Sequence, residues 1–501
     1  KAMARFYITT TLPYVYADPH IGFALEIVQA DIIARHHVLR GDEVFFNTGT
    51  DEHGLKIYQK AVEEKKDPQA YTDEYSAKFR QLKEKLHLYP ALHFIRTSDP
   101  HHIAAAQEIW RRCRDKGDIY KKEYKGLYCV GDEVFIKEGD LVNGKCANHP
   151  NLDPIEIEEE NYFFRLSAYQ EKLLEYLSNE NAITPSWRRE EAVAFVKSGL
   201  EDFSISREKS RLSWGVPVPD DDTQTMYGWF DALTSYISTL GWPQDPESNF
   251  QKFWVEGETR QFAGKDQIRF QSIMWQAMLM SADLPNTGSI NYHGFITSGG
   301  QKMSKSLGNV IDPLRIADEY GIDALRYYLA RHIHPFEDSD FTMERFKDRY
   351  NADLANGLGN LVSRTLNMIE KFVPDLNRSA PDFSFSRRST SPYEGEVSGT
   401  LGEVNSLIES LAFDQALAAI WQQISAADEL IEQKKPWEIA KSGSPLDKEE
   451  LERVLNSLYS TLITVNQSLA PFMPETHAKL TKLFSARPLK KPAEPLFARK
   501  D

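Results

Sequence analysis

Cysteine is almost missing from this 501-residue chain, which contains Cys113, Cys129 and Cys146 and no other. Three thiols cannot build a disulfide framework, so the stapled secreted scaffolds are excluded and a reducing cytoplasm is the expected compartment. No stretch approaches the roughly 18 uncharged apolar residues of a membrane helix. The first residues show no basic segment followed by an apolar one, so no secretory leader is expected. An excess of positive charge is missing as well. With 59 Lys and Arg against 74 Asp and Glu, the formal net charge is −15. That weighs against a protein that coats nucleic acid through its phosphates, although a large acidic protein can still carry a local basic face. Internal repeats and coiled-coil heptads are also absent.

The length calls for two to four domains, and 41% hydrophobic with 27% charged residues is a globular composition. Phe6–Thr10 alternates β-branched and aromatic residues and reads as a strand. Leu12–Pro19 is a loop. Ile21, Ala24, Ile27, Val28 and Ile32 recur at helical spacing up to Gly41. Glu43–Asn47 is the next strand, followed by the polar loop Gly49–Gly54. Strand, helix and strand of these lengths imply a βαβ unit in a parallel sheet, with both loops at the carboxyl ends of strands, where such sheets bind ligands. From Asp118 the texture changes to short strand-like runs (Tyr120–Tyr124, Gly126–Val130), a Gly/Asn/Pro-rich stretch at Asn143–Pro154 and the acidic run Glu156–Glu160, which reads as a small inserted domain. Helix returns at Ser167–Leu177. The α/β pattern resumes by Thr225, with a strand near Ile290–Thr297. After Asp312 the chain reads as helical: Tyr350–Phe372, ended by Pro374, then a linker at Arg378–Ser398 and helices near Thr400–Glu409, Phe413–Glu432 and Lys448–Leu469.

Two short motifs carry chemistry. His20-Ile21-Gly22-Phe23 sets an imidazole and a bare glycine at a helix start, where unpaired N–H groups and the helix dipole favour phosphate. Lys302-Met303-Ser304-Lys305-Ser306 puts two cations after a Gly299-Gly300 hinge, able to close over a triphosphate and neutralise a leaving pyrophosphate. Alone, the first could be an ordinary helix start and the second a solvated basic loop. Their pairing in this order favours a nucleotide triphosphate site.

The two motifs resemble those of the class I aminoacyl-tRNA synthetases. Four further blocks, Glu160–Leu166, Ser213–Pro219, Trp229–Leu233 and Gly264-Lys265-Asp266, closely resemble the methionyl-tRNA synthetase family, and the similarity runs from Arg5 to about Phe484. The interval from His20 to Lys302 leaves no room for the large editing insertion of the valine, isoleucine and leucine enzymes. The resemblance implies a Rossmann-type parallel-sheet catalytic domain in two halves (1–117 and 223–311), an inserted connective knuckle domain (118–222) and a stem-contact region (312–347). An all-α helical-bundle anticodon-binding domain (348–484) and a tail (485–501) would follow. It implies ATP with Mg²⁺, L-methionine and tRNA(Met), including initiator tRNA, as partners of a monomer without a further tRNA-binding domain.

The same resemblance assigns residues. His20, Lys302 and Lys305 are expected to act on the triphosphate, with Gly22, Phe23, Glu26, Gly264 and Asp266 around the nucleotide. Leu12, Tyr14, Trp229, Ala232, Tyr236, Phe270 and Gln271 would line the methionine pocket, and Asp51 would take the α-ammonium. Asn360, Arg364 and Trp437 would read the anticodon, stacking on and bonding to unpaired bases. Three positions depart from the family pattern. Phe23 stands where histidine is usual, so either its ring packs on the adenine side or the phosphates rest more heavily on His20, Lys302 and Lys305. Gln261 and Gln271 also replace histidines. Cys129-x-x-Asp132 and Cys146-x-x-His149 have zinc-knuckle spacing with aspartate in place of one cysteine. A structural tetrahedral zinc site and a knuckle that folds without metal both fit. Two other functions remain open: a nucleotidyltransferase that makes an adenylate without charging tRNA, and a non-catalytic RNA-binding relative.

Overall fold

The structure is a computed structural model that describes residues 3–304, 307–376 and 394–501. The chain divides into two compact units. One runs to Pro19 and then takes Glu43–Leu82 and Pro90–His293; the other takes His20–Asp42, Lys83–Tyr89 and Gly294 onward.

In the first unit, β1 (Arg5–Thr10), β2 (Glu43–Thr50) and β3 (His93–Arg96) belong to a six-stranded sheet with Glu258–Gly264, Ser289–His293 and Ile183–Thr184. Its order is β3, β2, β1, Glu258–Gly264, Ser289–His293, Ile183–Thr184. Every neighbouring pair is parallel. β1 and β2 are buried along most of their length, as expected of strands in a parallel sheet. The chain leaves β1 to build β2 on one side and returns much later to add Glu258–Gly264 on the other. β1 therefore ends at a topological switch point, where a crevice opens beyond the carboxyl ends of the strands.

The inserted segment forms an antiparallel sheet. Instead of two short runs, β4 (Ile119–Cys129) is one strand of 11 residues, and Gly126 stays in register opposite Ile157. The acidic run is a strand too: Ile155–Phe164 pairs along β4, with Ile157, Glu159 and Asn161 turned inward. Glutamate disfavours strands, but the partner strand supplies lysines. Lys125 pairs with Glu156 at 2.7 Å and Lys121 lies 3.9 Å from Glu160, the cross-strand charge pairing that stabilises a sheet.

The second unit is mainly helical. It holds α1 (Ile21–Leu39) and a small sheet with Ile296–Ser298 between Gln301–Lys302 and Ser339–Phe341. The strand expected over Ile290–Thr297 is thus two strands, broken at Gly294. A Cβ there would lie 2.2 Å from the Glu337 carbonyl carbon, so only glycine permits that approach. Helices follow at Pro313–Tyr320, Ile322–Arg331 and Met343–Arg349. Tyr350–Phe372 is helical throughout, but its first part, Tyr350–Gly359, is π-wound and Asn360–Phe372 is α-helical. Glu394–Glu409 begins earlier than the sequence suggests. The remaining helices are Phe413–Lys434, Pro436–Ser442, Pro445–Leu469 and Pro474–Ser485. Among the described residues, no helix is long and apolar enough to cross a membrane.

One buried ion pair joins α1 to the helices after it. Arg326 Nη2 lies 2.7 Å from Asp31 Oδ2, and both side chains are fully buried. Arg326 also donates to the carbonyls of Pro471 and Phe472, and Asp31 accepts from Arg35 and the Tyr89 amide. Removing one partner leaves the other charge desolvated, which costs about 3–5 kcal/mol. Arg326→Met is expected to lower unfolding free energy by that amount in urea titrations with an unchanged slope; a loss below about 1 kcal/mol would show that the pair is not structural.

Candidate active site

The second unit holds both phosphate motifs. His20 is the N-cap of α1 in an extended conformation, and its Nδ1 accepts the Gly22 amide at 3.0 Å. A Cβ on Gly22 would sit 2.9 Å from His20 Cε1. The glycine therefore makes room for the capping imidazole itself, a reason for the His-x-Gly spacing beyond access for a ligand. The ring reaches solvent but is flanked by enough protein that burial lowers its pKa, which favours a neutral imidazole. The helix start is not a set of open amides, as the sequence suggests: Gly22 N–H is taken by His20, and Ile21 N–H donates to the Ile311 carbonyl at 3.2 Å. That last bond ties the helix start to the chain just beyond the lysine motif. Phe23 is half-buried and Glu26 buried.

Gly299-Gly300, where the sequence suggests a hinge, forms a hairpin turn. With φ of 61° and 77°, the pair is the tight two-residue turn of a hairpin, a conformation that demands positive φ at both positions. The strands it joins are Ile296–Ser298 and Gln301–Lys302. Asp340 clamps the turn by accepting from Gly300 N–H at 2.7 Å and the Thr297 hydroxyl at 2.9 Å. Asn309 closes the following loop: its Oδ1 accepts the Ser304 amide and its Nδ2 donates to the Lys302 carbonyl. Lys302 is exposed at the hairpin end. Lys305 and Ser306 lie outside the described residues. Neither Asp340 nor Asn309 is signalled by a motif, because each acts on backbone from a distance along the chain.

The first unit holds an aromatic pocket at the switch point. Tyr14 follows β1 and Asp51 follows β2, and the two form an isolated parallel bridge. Tyr14 meets Trp229 edge-on at 6.4 Å, and Trp229 stacks on Phe270 at 3.9 Å and 10°. Leu12, Ala232 and Tyr236 are buried, while Tyr14, Trp229 and Phe270 are half-buried. Gln271 is fully buried, as is Gln261, and the two glutamines that depart from the family pattern are partners: Gln261 Nε2 donates to Gln271 Oε1 at 3.1 Å. Thr287 and Thr11 extend the chain on either side. Gly264 ends its strand one residue before the turn that carries Asp266, and a Cβ there would meet Asp266 Oδ1 at 2.6 Å.

Asp51 is the electrostatic centre of that pocket. It is buried, and its Oδ1 has no hydrogen-bond partner. Burial first, then the charges of Asp231 and Glu133, raise its pKa well above the usual carboxylate range. Three groups here carry no recognisable spacing. Glu133, from the insert, accepts the Lys56 amide at 2.6 Å and the Tyr14 hydroxyl at 3.4 Å. His53 and His102 each bond Asp231 at 2.6 Å.

Beside it, the Sγ atoms of Cys129 and Cys146, a carboxylate oxygen of Asp132 and a ring nitrogen of His149 lie within 4.8 Å of one another. Cys146 Sγ donates to Asp132 at 2.8 Å, and His149 Nδ1 lies 3.3 Å from the same carboxylate. Gly131 is required here, since a Cβ would fall 2.4 Å from the His149 ring. Two sulfurs, one nitrogen and one oxygen at this spacing fit a four-coordinate zinc ion.

The family model for tRNA synthetases class I (M) matches residues 6–154 and 138–366. The methionine–tRNA ligase of Synechocystis sp. is 41% identical over 96% of this chain and 89% of its own length. That of Thermotoga maritima is 40% identical over 96% of this chain and 75% of its own. A solved Mycobacterium tuberculosis methionyl-tRNA synthetase in complex with methionyl-adenylate superposes with a TM-score of 0.89 at 35% identity, covering 99% of this chain and all of that one. The chain belongs to the methionyl-tRNA synthetase family.

In this synthetase the helices after Tyr350 also carry the expected base-reading groups. Asn360 is exposed at the start of its α-helix. Arg364, one turn on, is held to the helix Phe413–Lys434 by Glu432 at 2.7 Å, with Asp428 at 3.7 Å. That helix ends at Lys435 in the left-handed region, and Pro436 starts the next one with half-buried Trp437 in its first turn.

The cap geometry makes a prediction. His20→Ala and Gly22→Ala should each cost about 1 kcal/mol by losing one cap. The double variant should cost little more than either alone in a denaturation cycle. Additive losses would show that the two residues do not act through one bond.

Proposed function

We propose that the chain activates L-methionine with ATP and transfers the methionyl group to tRNA(Met), serving initiation and elongation of protein synthesis. The observation that carries this reading is the buried Asp51 carboxyl, one oxygen of which has no hydrogen-bond partner, bridged to Tyr14, whose ring meets Trp229 stacked on Phe270. An α-ammonium can bond that oxygen with charge assistance, and a thioether suits an aromatic surround. Leu12, Ala232, Tyr236 and Gln271 complete the pocket. The methionine carboxylate oxygen attacks the α-phosphorus, the bond to the β-phosphate oxygen breaks and pyrophosphate leaves. The 2′- or 3′-hydroxyl of the terminal adenosine then attacks the acyl carbon and AMP leaves. His20, Lys302 and Lys305 stabilise charge on the phosphates, with Mg²⁺ as counter-ion, and Gly22, Phe23, Glu26, Gly264 and Asp266 hold the nucleoside. Asn360, Arg364 and Trp437 read the anticodon, within a helical region from 348 to 484. The proposed functional division is catalytic halves at 1–117 and 223–311, an insert at 118–222 and a stem-contact region at 312–347, in a cytoplasmic monomer.

Purified protein is expected to catalyse methionine-dependent ATP–pyrophosphate exchange and to acylate tRNA(Met). Lys302→Ala should lower kcat by about a hundredfold. Methionine binding should release a proton below the raised pKa of Asp51, so affinity rises with pH up to that value and is flat above it; calorimetry in two buffers reads the proton. Exchange with no amino acid, or with another in preference, would overturn the assignment.

Zinc is expected to bind through Cys129, Asp132, Cys146 and His149 and to serve folding alone, since all four positions are filled by protein. One ion per chain should be found by elemental analysis, and Cys146→Ser should lose it. Metal-free protein that folds and melts identically would favour an empty knuckle.

A further inference from the structure

Asp231, His102 and Ser238 are fully buried and His53 nearly so. Each carboxylate oxygen of Asp231 takes one ring: Oδ2 faces His53 Nδ1 and Oδ1 faces His102 Nε2, both at 2.6 Å. Burial raises the pKa of Asp231, but the two imidazoles outweigh it and hold the group below the usual value. An ionised carboxylate only accepts hydrogen bonds. Hence His53 carries its proton on Nδ1 and His102 on Nε2. His102 Nδ1 faces the Ser238 hydroxyl at 2.9 Å.

The placement of these groups matters. His53 lies two residues after Asp51. Asp231 lies on the helix Gly228–Leu233 between Trp229 and Ala232. The loop around His53 is gripped on its other side by Trp214, whose indole N–H donates to the Glu52 carbonyl at 2.6 Å and whose ring meets His53 edge-on. The bond from His53 to Asp231 thus joins the loop carrying Asp51 to the helix carrying two pocket residues. A Cβ on Gly228 would lie 3.8 Å from the His53 carbonyl, so the two backbones run close.

We infer that Asp231 is a positioning residue for methionine recognition: by bonding His53 and His102 together it sets the distance between Asp51 and the Trp229–Ala232 wall. This rests on the functional reading above. A pocket whose two sides lose their brace binds methionine less well in ground state and transition state alike, so the effect falls on KM for methionine.

Asp231→Asn is expected to raise KM for methionine at least about tenfold while KM for ATP and kcat change by less than about threefold. It should also move the pH midpoint of methionine binding downward, because Asp231 repels the Asp51 carboxylate; Glu133 and Glu52 face that carboxylate too and are unchanged. His53→Asn, whose amide nitrogen can stand where Nδ1 stood, should recover most of what His53→Ala loses. Should Asp231→Asn not fold, ¹⁵N NMR of histidine-labelled wild type still decides: Nδ1–H on His53 and Nε2–H on His102 support the network, and the opposite tautomers overturn it. Wild type that exchanges no pyrophosphate with methionine overturns the functional reading. Wild type that does so, with KM for methionine unchanged in Asp231→Asn, overturns this inference alone.

Discussion

β1 pairs in parallel with β2 on one side and with Glu258–Gly264 on the other, and three segments far apart in sequence therefore end at one crevice. Parallel pairing forces long crossovers, so each strand end can carry a different loop. Tyr14 comes from the loop after β1, Asp51 from the loop after β2 and Asp266 from the turn after Glu258–Gly264. Helices later in the chain bring Trp229 and Phe270 to the aromatic cluster. The fold fixes the carboxyl ends; what those ends do is decided by the side chains placed there.

The pocket's electrostatics follow from burial. Asp51, Asp231 and Glu133 are all buried carboxyls in one region, and their mutual repulsion is eased in different ways. Asp231 has two imidazoles, Glu133 has the Lys56 amide and the Tyr14 hydroxyl, and Asp51 is left with an unpartnered oxygen. A buried carboxyl oxygen without a partner makes the ionised form expensive, in line with the raised pKa of Asp51. The same reasoning explains why the two glutamines near the pocket are paired. A buried amide needs partners for donor and acceptor, and Gln261 and Gln271 supply one another.

Much of this was legible in the chain. Helical spacing gave α1, and the β-branched run gave β1. The spacing of Cys129, Asp132, Cys146 and His149 anticipated four donors that do converge. Elsewhere local rules misled. Glu156–Glu160 gives no strand signal because glutamate disfavours strands, yet it pairs along β4, whose lysines meet its charges. Gly299-Gly300 reads as a hinge because glycine is permissive, yet hairpin pairing and Asp340 make it a tight turn. Gly294 interrupts an apparently continuous strand only because Glu337 backbone passes against it.

The sequence by itself determined residue types, periodicity and short motifs, because these depend on neighbours within one helical turn or one strand. It thereby pointed to the family and to a βαβ unit in a parallel sheet, and it nominated the residues proposed for the pocket. Tertiary structure alone decided which buried groups become partners. His53, His102 and Asp231 are separated by long intervals and follow no spacing rule; only chain crossing places two imidazoles on one carboxylate and leaves one oxygen of Asp51 without a partner. Hydrogen bonds and charge repulsion act over a few ångströms, and sequence separation carries no information at that range.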